Sequence, residues 1–369
     1  MKWRVALLLA VLVPLSVEAQ PLDQRLFPDV GLLAAVHESL DSAQLPRTRD
    51  GLTQLQHLDA SDRGITSLAG IGHATKLQSL DLSQNDLRDI SEISVLTDLR
   101  LLRLGQNQIE DLTPIGALLQ LESLILDFNR ISDLSPTRSL SRLRSFNAAG
   151  NQIAAADALG ALTNLTGVWI GNNKLKSLEW ARSLSHLKML IVSNNQVTDL
   201  NPIRELQELV QVNISGNRIK QLGDLRAWSS IRQLMARDMG ISELMDLSDL
   251  TSLEWLDLRD NQIRDLSPLA PLRSLTRLFL SGNEVATFGP LGSFPVLEWL
   301  VIGDNPARDI GAVADLPGLK DLSLDLNQSE GEPLVIREMK SRGVVTEVDS
   351  PEPKTFFSKP PSTQKQDEH

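Results

Sequence analysis

The chain contains no cysteine and no tyrosine, and aromatic residues make up only 4% of it. Without cysteine there can be no disulfide, no thiolate metal site and no lipidated N-terminal cysteine. With so few rings, any core must be aliphatic. The five histidines (His37, His57, His73, His186, His369) are scattered, and none has a carboxylate or serine partner at the spacing of a triad or a metal motif. No catalytic residue, metal site or cofactor is therefore expected. Basic charge is also in deficit: the formal net charge is −11, which argues against nucleic acid and anionic membrane surfaces as partners. Long apolar runs are missing as well. The longest, Val5 to Leu15, is interrupted by Pro14 and is too short to span a bilayer.

What the chain does have is a period. Thirteen units of 22 residues begin at Leu55, Leu77, Leu99, Leu121, Leu143, Leu165, Leu187, Leu209, Ile231, Leu253, Leu275, Leu297 and Leu319, with no insertion between them. A fixed period of this length means a solenoid. Counting from each start, aliphatic residues recur at offsets 0, 3, 5, 10, 13, 16 and 19. Offsets 3 and 5 fall on one face of an extended segment, so Leu256-Asp257-Leu258 reads as a short strand with its leucines inward. The later spacing of three favours tight 3₁₀ turns on the opposite side. Pro114, Pro136, Pro202, Pro268 and Pro290, all at offset 15, suit the start of such turns. The aliphatic burial available to one unit does not repay the entropy of ordering it, so stacked neighbours must complete the core.

Offset 8 is asparagine in eleven units, from Asn85 to Asn327. An inward amide can satisfy bare backbone groups where strand becomes loop, a scaffold role rather than a ligand role. Arg63 and Met239 replace it, and glycine follows both (Gly64, Gly240), which implies a different turn with positive φ.

The pattern L-x-x-L-x-L-x-x-N-x-I/L resembles the leucine-rich repeat in its 22-residue form, as in bacterial internalins and a eukaryotic phosphatase-regulator subfamily; the resemblance covers residues 55 to about 329. It implies an α/β solenoid: a right-handed leucine-rich repeat superhelix with a concave parallel β-sheet, convex 3₁₀ or irregular turns, a helical N-cap and a helix-strand C-cap. It also implies recognition of another molecule on the concave face. Only about 40 residues follow the repeats, too few for the immunoglobulin-like domain that usually joins internalin repeats, and no Leu-Pro-x-Thr-Gly signal is present. Wall attachment and host invasion are therefore not carried over.

Residues 1–19 read as a secretory signal peptide: Lys2 and Arg4, an apolar run, then Val17-Glu-Ala19 as a cleavage site. Residues 20–54 read as the N-terminal cap, with an amphipathic helix starting near Asp29 and burying Leu32, Leu33, Val36 and Leu40; Leu52 already fills offset 19 of a half-formed unit. Residues 55–329 are the repeats. Residues 330–348 form a C-terminal cap, a helix closed by Gly343 and a fourteenth strand at about 343–347. Residues 349–369, polar and proline-rich, read as a disordered tail.

The outward strand positions, offsets 2, 4, 6 and 7, carry the functional signal. A plain scaffold needs small or polar residues there, as at Ser79, Asp81, Ser83 and Gln84. Later units instead place Ile125, Phe128, Trp169, Ile191, Met235, Trp255, Phe279, Trp299 and Val301 outward, with Arg237, Arg259 and Arg277 among them. Contiguous exposed apolar area with arginine marks an interaction surface, and these twelve residues are the expected partner-binding face. Asp238, Asp257 and Asp260 interleave with the arginines, which implies ion pairs rather than a cation site. The expected function is non-enzymatic binding of a protein ligand by an exported, monomeric bacterial protein in the periplasm or outside the cell. A glycan or cell-wall ligand and regulation of an extracytoplasmic enzyme are the alternatives. No membrane insertion is expected after signal cleavage.

The leader reading makes a direct prediction. Intact-mass or N-terminal sequencing of the exported protein should place its first residue near Gln20; a product retaining Met1 would overturn it.

Overall fold

The computed structural model describes residues 21–245, 247–308, 310–324 and 334–348. The expected leader, Asn327 and the tail after residue 348 lie outside these residues. The strands run from β1 (His57–Asp59) to β14 (Val345–Val348) in one parallel sheet whose spatial order is the sequence order. From β1 to β13 (Asp321–Leu324) each residue pairs with the one a full repeat later: His57 with Ser79, Trp255 with Arg277, Trp299 with Asp321. The periodicity thus specifies the register directly. The seven inward offsets merge into one continuous core; among them Leu244 is only partly buried. Thr137 stands where an aliphatic is usual and is fully buried, its hydroxyl donating to the Leu134 carbonyl at 2.7 Å.

On the convex side most connections form the expected 3₁₀ turns, and all five prolines at offset 15 lie in their first positions. An aspartate at offset 12 caps several of them. The Asp111, Asp133 and Asp265 carboxylates accept hydrogen bonds from Thr113, Ser135 and Ser267, which hold these carboxyls below the usual range. Two consecutive connections differ. Between β8 (Gln211–Asn213), β9 (Gln233–Met235) and β10 (Trp255–Asp257), the described residues form no 3₁₀ turn.

The asparagine ladder closes each unit onto its neighbour. The Asn195 amide nitrogen donates to the carbonyls of Ile170, Val192 and Ser193, at 3.0, 3.0 and 3.3 Å, and its oxygen accepts the Leu175 N–H at 2.9 Å. One side chain therefore satisfies four backbone groups in two units. Where the asparagine is missing, the next unit compensates in part: the Arg63 and Met239 N–H groups donate to Asn85 and Asn261. Gly64 and Gly240 then take φ of 63° and 72°, the left-handed turn expected from the sequence. Offset 7 is left-handed as well, at Gln84, Phe128, Asn194, Asp260 and their equivalents. The sequence reading treated it only as an outward position.

Both caps are present. Helix α1 (Val30–Ser42) starts at Asp29, whose carboxylate accepts from the Gly31 and Leu32 N–H groups and, across to the first repeat, from Thr66 and Ser67. Burial acts to raise this carboxyl, but the four backbone donors outweigh it and hold the group below the usual carboxylate range. A short helix, α2 (Arg49–Gln54), buries Leu52. Before the last repeat strand, α3 (Gly311–Ala314) takes the place of a 3₁₀ turn. At the C-terminus, α4 (Leu334–Ser341) leads to β14, which begins two residues later than the strict period predicts: Asp321 pairs with Val345. The eight-residue α4 makes about two turns where α3 makes one, and the longer helix takes up the extra chain.

Removing Asn195 should unpair buried groups on both sides of one junction. Asn195→Ala is expected to cost about 1–3 kcal/mol, and Gln196→Ala, whose side chain points away from the ladder, a small fraction of that. Equal shifts of the denaturant midpoint for the two variants would refute the inward assignment.

Candidate functional site

The outward residues of β10, β11 (Arg277–Phe279) and β12 (Trp299–Val301) form one interlocked cluster. Trp255, Arg277 and Trp299 occupy the same offset on successive strands and are paired in register. Parallel strands lie ~4.8 Å apart, so the two indoles are separated by about twice that distance. Arg277 fills the gap. Its guanidinium carbon sits 5.3 Å from the Trp255 ring centroid and 5.0 Å from that of Trp299, a cation held between two π faces. In the adjacent row Phe279 packs against Trp255 at 5.8 Å between centroids, and Arg259 lies over the Phe279 ring at 5.3 Å.

Four ion pairs surround this cluster. Arg259 is fixed by Asp257 at 2.7 Å, a pair whose side chains are 14% and 7% exposed. Arg237 pairs with Asp260 at 2.6 Å, Arg232 with Glu254, and Lys320 with Glu298 at 2.7 Å. Of the expected network, the Asp257–Arg259 and Asp260–Arg237 pairs form, with Asp257 as the buried anchor, whereas Asp238 and Arg277 make no ion pair among the described residues. Among the described residues no group of three or more His, Cys, Asp or Glu side chains is placed to hold a metal ion.

The twelve expected surface residues fall into three groups. Trp255, Arg259, Arg277, Phe279 and Trp299 meet in the cluster, with Val301 beside Phe279 in register. Met235 and Arg237 adjoin it from β9 and the turn after it; Met235 lies opposite Asp257. Ile125, Phe128, Trp169 and Ile191 lie further along the sheet: Trp169 is four strands from Trp255, ~19 Å away.

Exposure corrects the sequence reading. Phe279 is 1% exposed, Met235 2% and Ile125 6%, so these three face the concave side but are covered there by neighbouring side chains. Trp255 and Arg259 form the cover over Phe279. Phe279 therefore supports the Trp255 indole from beneath, and Arg277 stands between the two indoles. The shared offset of Trp255, Arg277 and Trp299 is written in the sequence, whereas the stacking of the guanidinium between the two rings depends on side-chain geometry. The Trp255 indole N–H is buried without an acceptor, and nothing in the structure accounts for it.

Phe128 is the most exposed of the twelve, at 57%, and adopts φ of 52° at the left-handed offset. Bulky side chains rarely take this conformation. Gly150, at the same offset one unit on, leaves room for the ring: a Cβ there would lie 2.7 Å from it. Beside Phe128, burial raises the Asp127 carboxyl above its ordinary value.

Stability should separate support from surface. Phe279→Ala is expected to cost about 3–5 kcal/mol, as a buried aromatic does, against about 1–2 kcal/mol for part-exposed Trp299→Ala. Chemical denaturation of both variants checks this; similar losses would mean that Trp299 belongs to the core.

The fold and this surface can be set beside known proteins. A family model described as leucine-rich repeats (two copies) matches residues 75–117, 185–227 and 251–293. No curated protein sequence matches the chain. Among solved structures, internalin InlF of Listeria monocytogenes superposes with a TM-score of 0.79 at 25% identity, over 89% of this chain and 97% of that one. Internalin InlC2 of the same organism gives 0.51 at 26% identity, over 71% and 100%. A leucine-rich repeat protein of Leptospira interrogans shares the fold at 23% identity, with a TM-score of 0.59 over 82% and 97%. With its 22-residue period, its asparagine ladder and its single parallel sheet, the chain is an internalin-like leucine-rich repeat protein.

Proposed function

We propose that this protein is an exported, non-enzymatic recognition module that binds a protein partner on its concave face, centred on Trp255, Arg277 and Trp299. The observation that carries the reading is the composition of one row of the sheet. Offset 2 requires only a residue compatible with a strand, as Ser79, Ser123 and Ser145 show. At units ten to twelve it holds tryptophan, arginine and tryptophan, stacked in register. Tryptophan and arginine are the residues that most often dominate protein interfaces. The stack is also pre-organised, so little side-chain entropy remains to be lost on binding.

Export rests on the signal-peptide pattern of residues 1–19 and on the likeness to internalins. Among the described residues no helix is long and apolar enough to cross a membrane. Phe128, Trp169 and Ile191 extend the same face toward the N-terminal half and offer a second contact region for a partner that follows the sheet.

The test is binding by variants that stay folded. Trp299→Ala should weaken partner binding by about 2 kcal/mol or more, roughly thirtyfold. Trp228→Ala, which empties the core on the convex side, should lower the thermal midpoint instead and leave the affinity of the folded fraction unchanged. The partner is captured with the wild-type protein and its affinity measured by titration against each variant. Undiminished affinity of the Trp299 variant would remove the concave site.

A further inference from the structure

The side chain of Arg277 makes no hydrogen bond or ion pair with any described residue, although both its faces are occupied. That combination is unusual. A guanidinium keeps five N–H donors in its plane, and stacking between Trp255 and Trp299 consumes the faces while leaving that edge unused. Four carboxylates around it are already matched. Asp257 holds Arg259, Asp260 holds Arg237, Glu254 holds Arg232 and Glu298 holds Lys320. Arg277 is thus a cation at the centre of the candidate interface, oriented by two rings and without a counter-ion among the described residues.

We infer that Arg277 receives a side-chain carboxylate from an acidic segment of the protein partner, bound edge-on to the guanidinium while Trp255 and Trp299 shield the pair from water. The inference rests on the concave-face reading above and adds the chemistry of the ligand. The planar fork of arginine matches a carboxylate through two parallel N–H to O bonds. The flanking indoles lower the local dielectric, which strengthens such a pair relative to one in open solvent. The net charge of −11 does not oppose this: beyond about 10 Å it is screened at ordinary ionic strength. Around the guanidinium itself the four ion pairs cancel. Lysine at this position would carry the charge but neither the flat stack nor the fork.

The experiment uses the purified protein and a defined probe, N-acetylated and amidated tetraglutamate, with tetraglutamine as control at matched ionic strength and pH 7. The arginine side-chain Nε–H signals are followed by NMR. Tetraglutamate should shift the Arg277 signal saturably at concentrations up to about 20 mM, and tetraglutamine should not. Arg277→Gln, checked for an unchanged thermal midpoint, should weaken tetraglutamate binding by roughly tenfold or more, read from backbone amides of β10 to β12. Should the glutamine variant unfold, Arg277→Lys keeps the charge and should still weaken binding severalfold. The inference is overturned by equal responses to the two peptides, by undiminished binding in either folded variant, or by inorganic phosphate binding more tightly than tetraglutamate. Failure here is separable from failure of the site itself. If Trp299→Ala loses the captured partner while Arg277→Gln keeps it, the concave face stands and the carboxylate contact falls; if neither variant loses it, both fall.

Discussion

Everything in this molecule depends on how the chain turns out of each strand without stranding its backbone. A three-residue strand leaves carbonyls and N–H groups facing the interior at the point where the chain leaves the sheet, and water cannot reach them there. One asparagine amide in each unit but the first and the ninth answers this. It bonds three carbonyls and one N–H, drawn from its own unit and the one before. Because the amide spans the junction, it fixes the distance between units as well as satisfying them. The unbroken spacing of the repeats is then a requirement: one extra residue would carry the amide out of reach of the carbonyls it must cap.

That constraint is also what frees the concave face. With the inward offsets committed to packing and the asparagine to closure, the outward positions of each strand answer only to their neighbours across the sheet. In the second unit they are filled with serine, aspartate and glutamine. In units ten to twelve the same freedom is used to stack Trp255, Arg277 and Trp299 over a buried Phe279. The parallel register places equivalent positions side by side, so three residues widely separated in sequence become a continuous strip. Its geometry is set by strand spacing rather than by loops, which makes it rigid in a way that a loop-borne site is not.

Much of this was legible in the sequence because period, register and burial are one fact in a solenoid. Reading offset 3 as inward predicts the core, the strand pairing and the asparagine ladder together, and the caps follow from the need to cover the array's ends. Asp29 and Gly343 could be assigned from helix-capping chemistry alone. The site was legible only in outline. Alternation says which side of the sheet a residue faces; it does not say whether a neighbour covers it. Phe279, Met235 and Ile125 face the concave side and are nonetheless buried, since tryptophan and arginine are long enough to fold over adjacent strands. The left-handed offset was visible in principle, as a recurrence of Asp, Gln, Asn and Gly, but Phe128 breaks that recurrence. The delayed β14 was not predictable from the period, because it depends on α4 replacing a 3₁₀ turn.

Met239 carries a consequence of a different kind. In a one-dimensional array each unit is held by its two neighbours, and the molecule is as cooperative as its weakest junction. At unit nine the amide that would bind the Ile214 carbonyl and the Ile219 N–H is absent, and the convex connections on both sides lack 3₁₀ turns among the described residues. The junction between units eight and nine therefore lacks a side-chain bridge that the neighbouring junctions have. Eight units lie before it, and the units bearing the tryptophan strip lie after it. With one bridge fewer, this junction resists a bend or twist less than a bridged one does, and the strip lies wholly on one side of it.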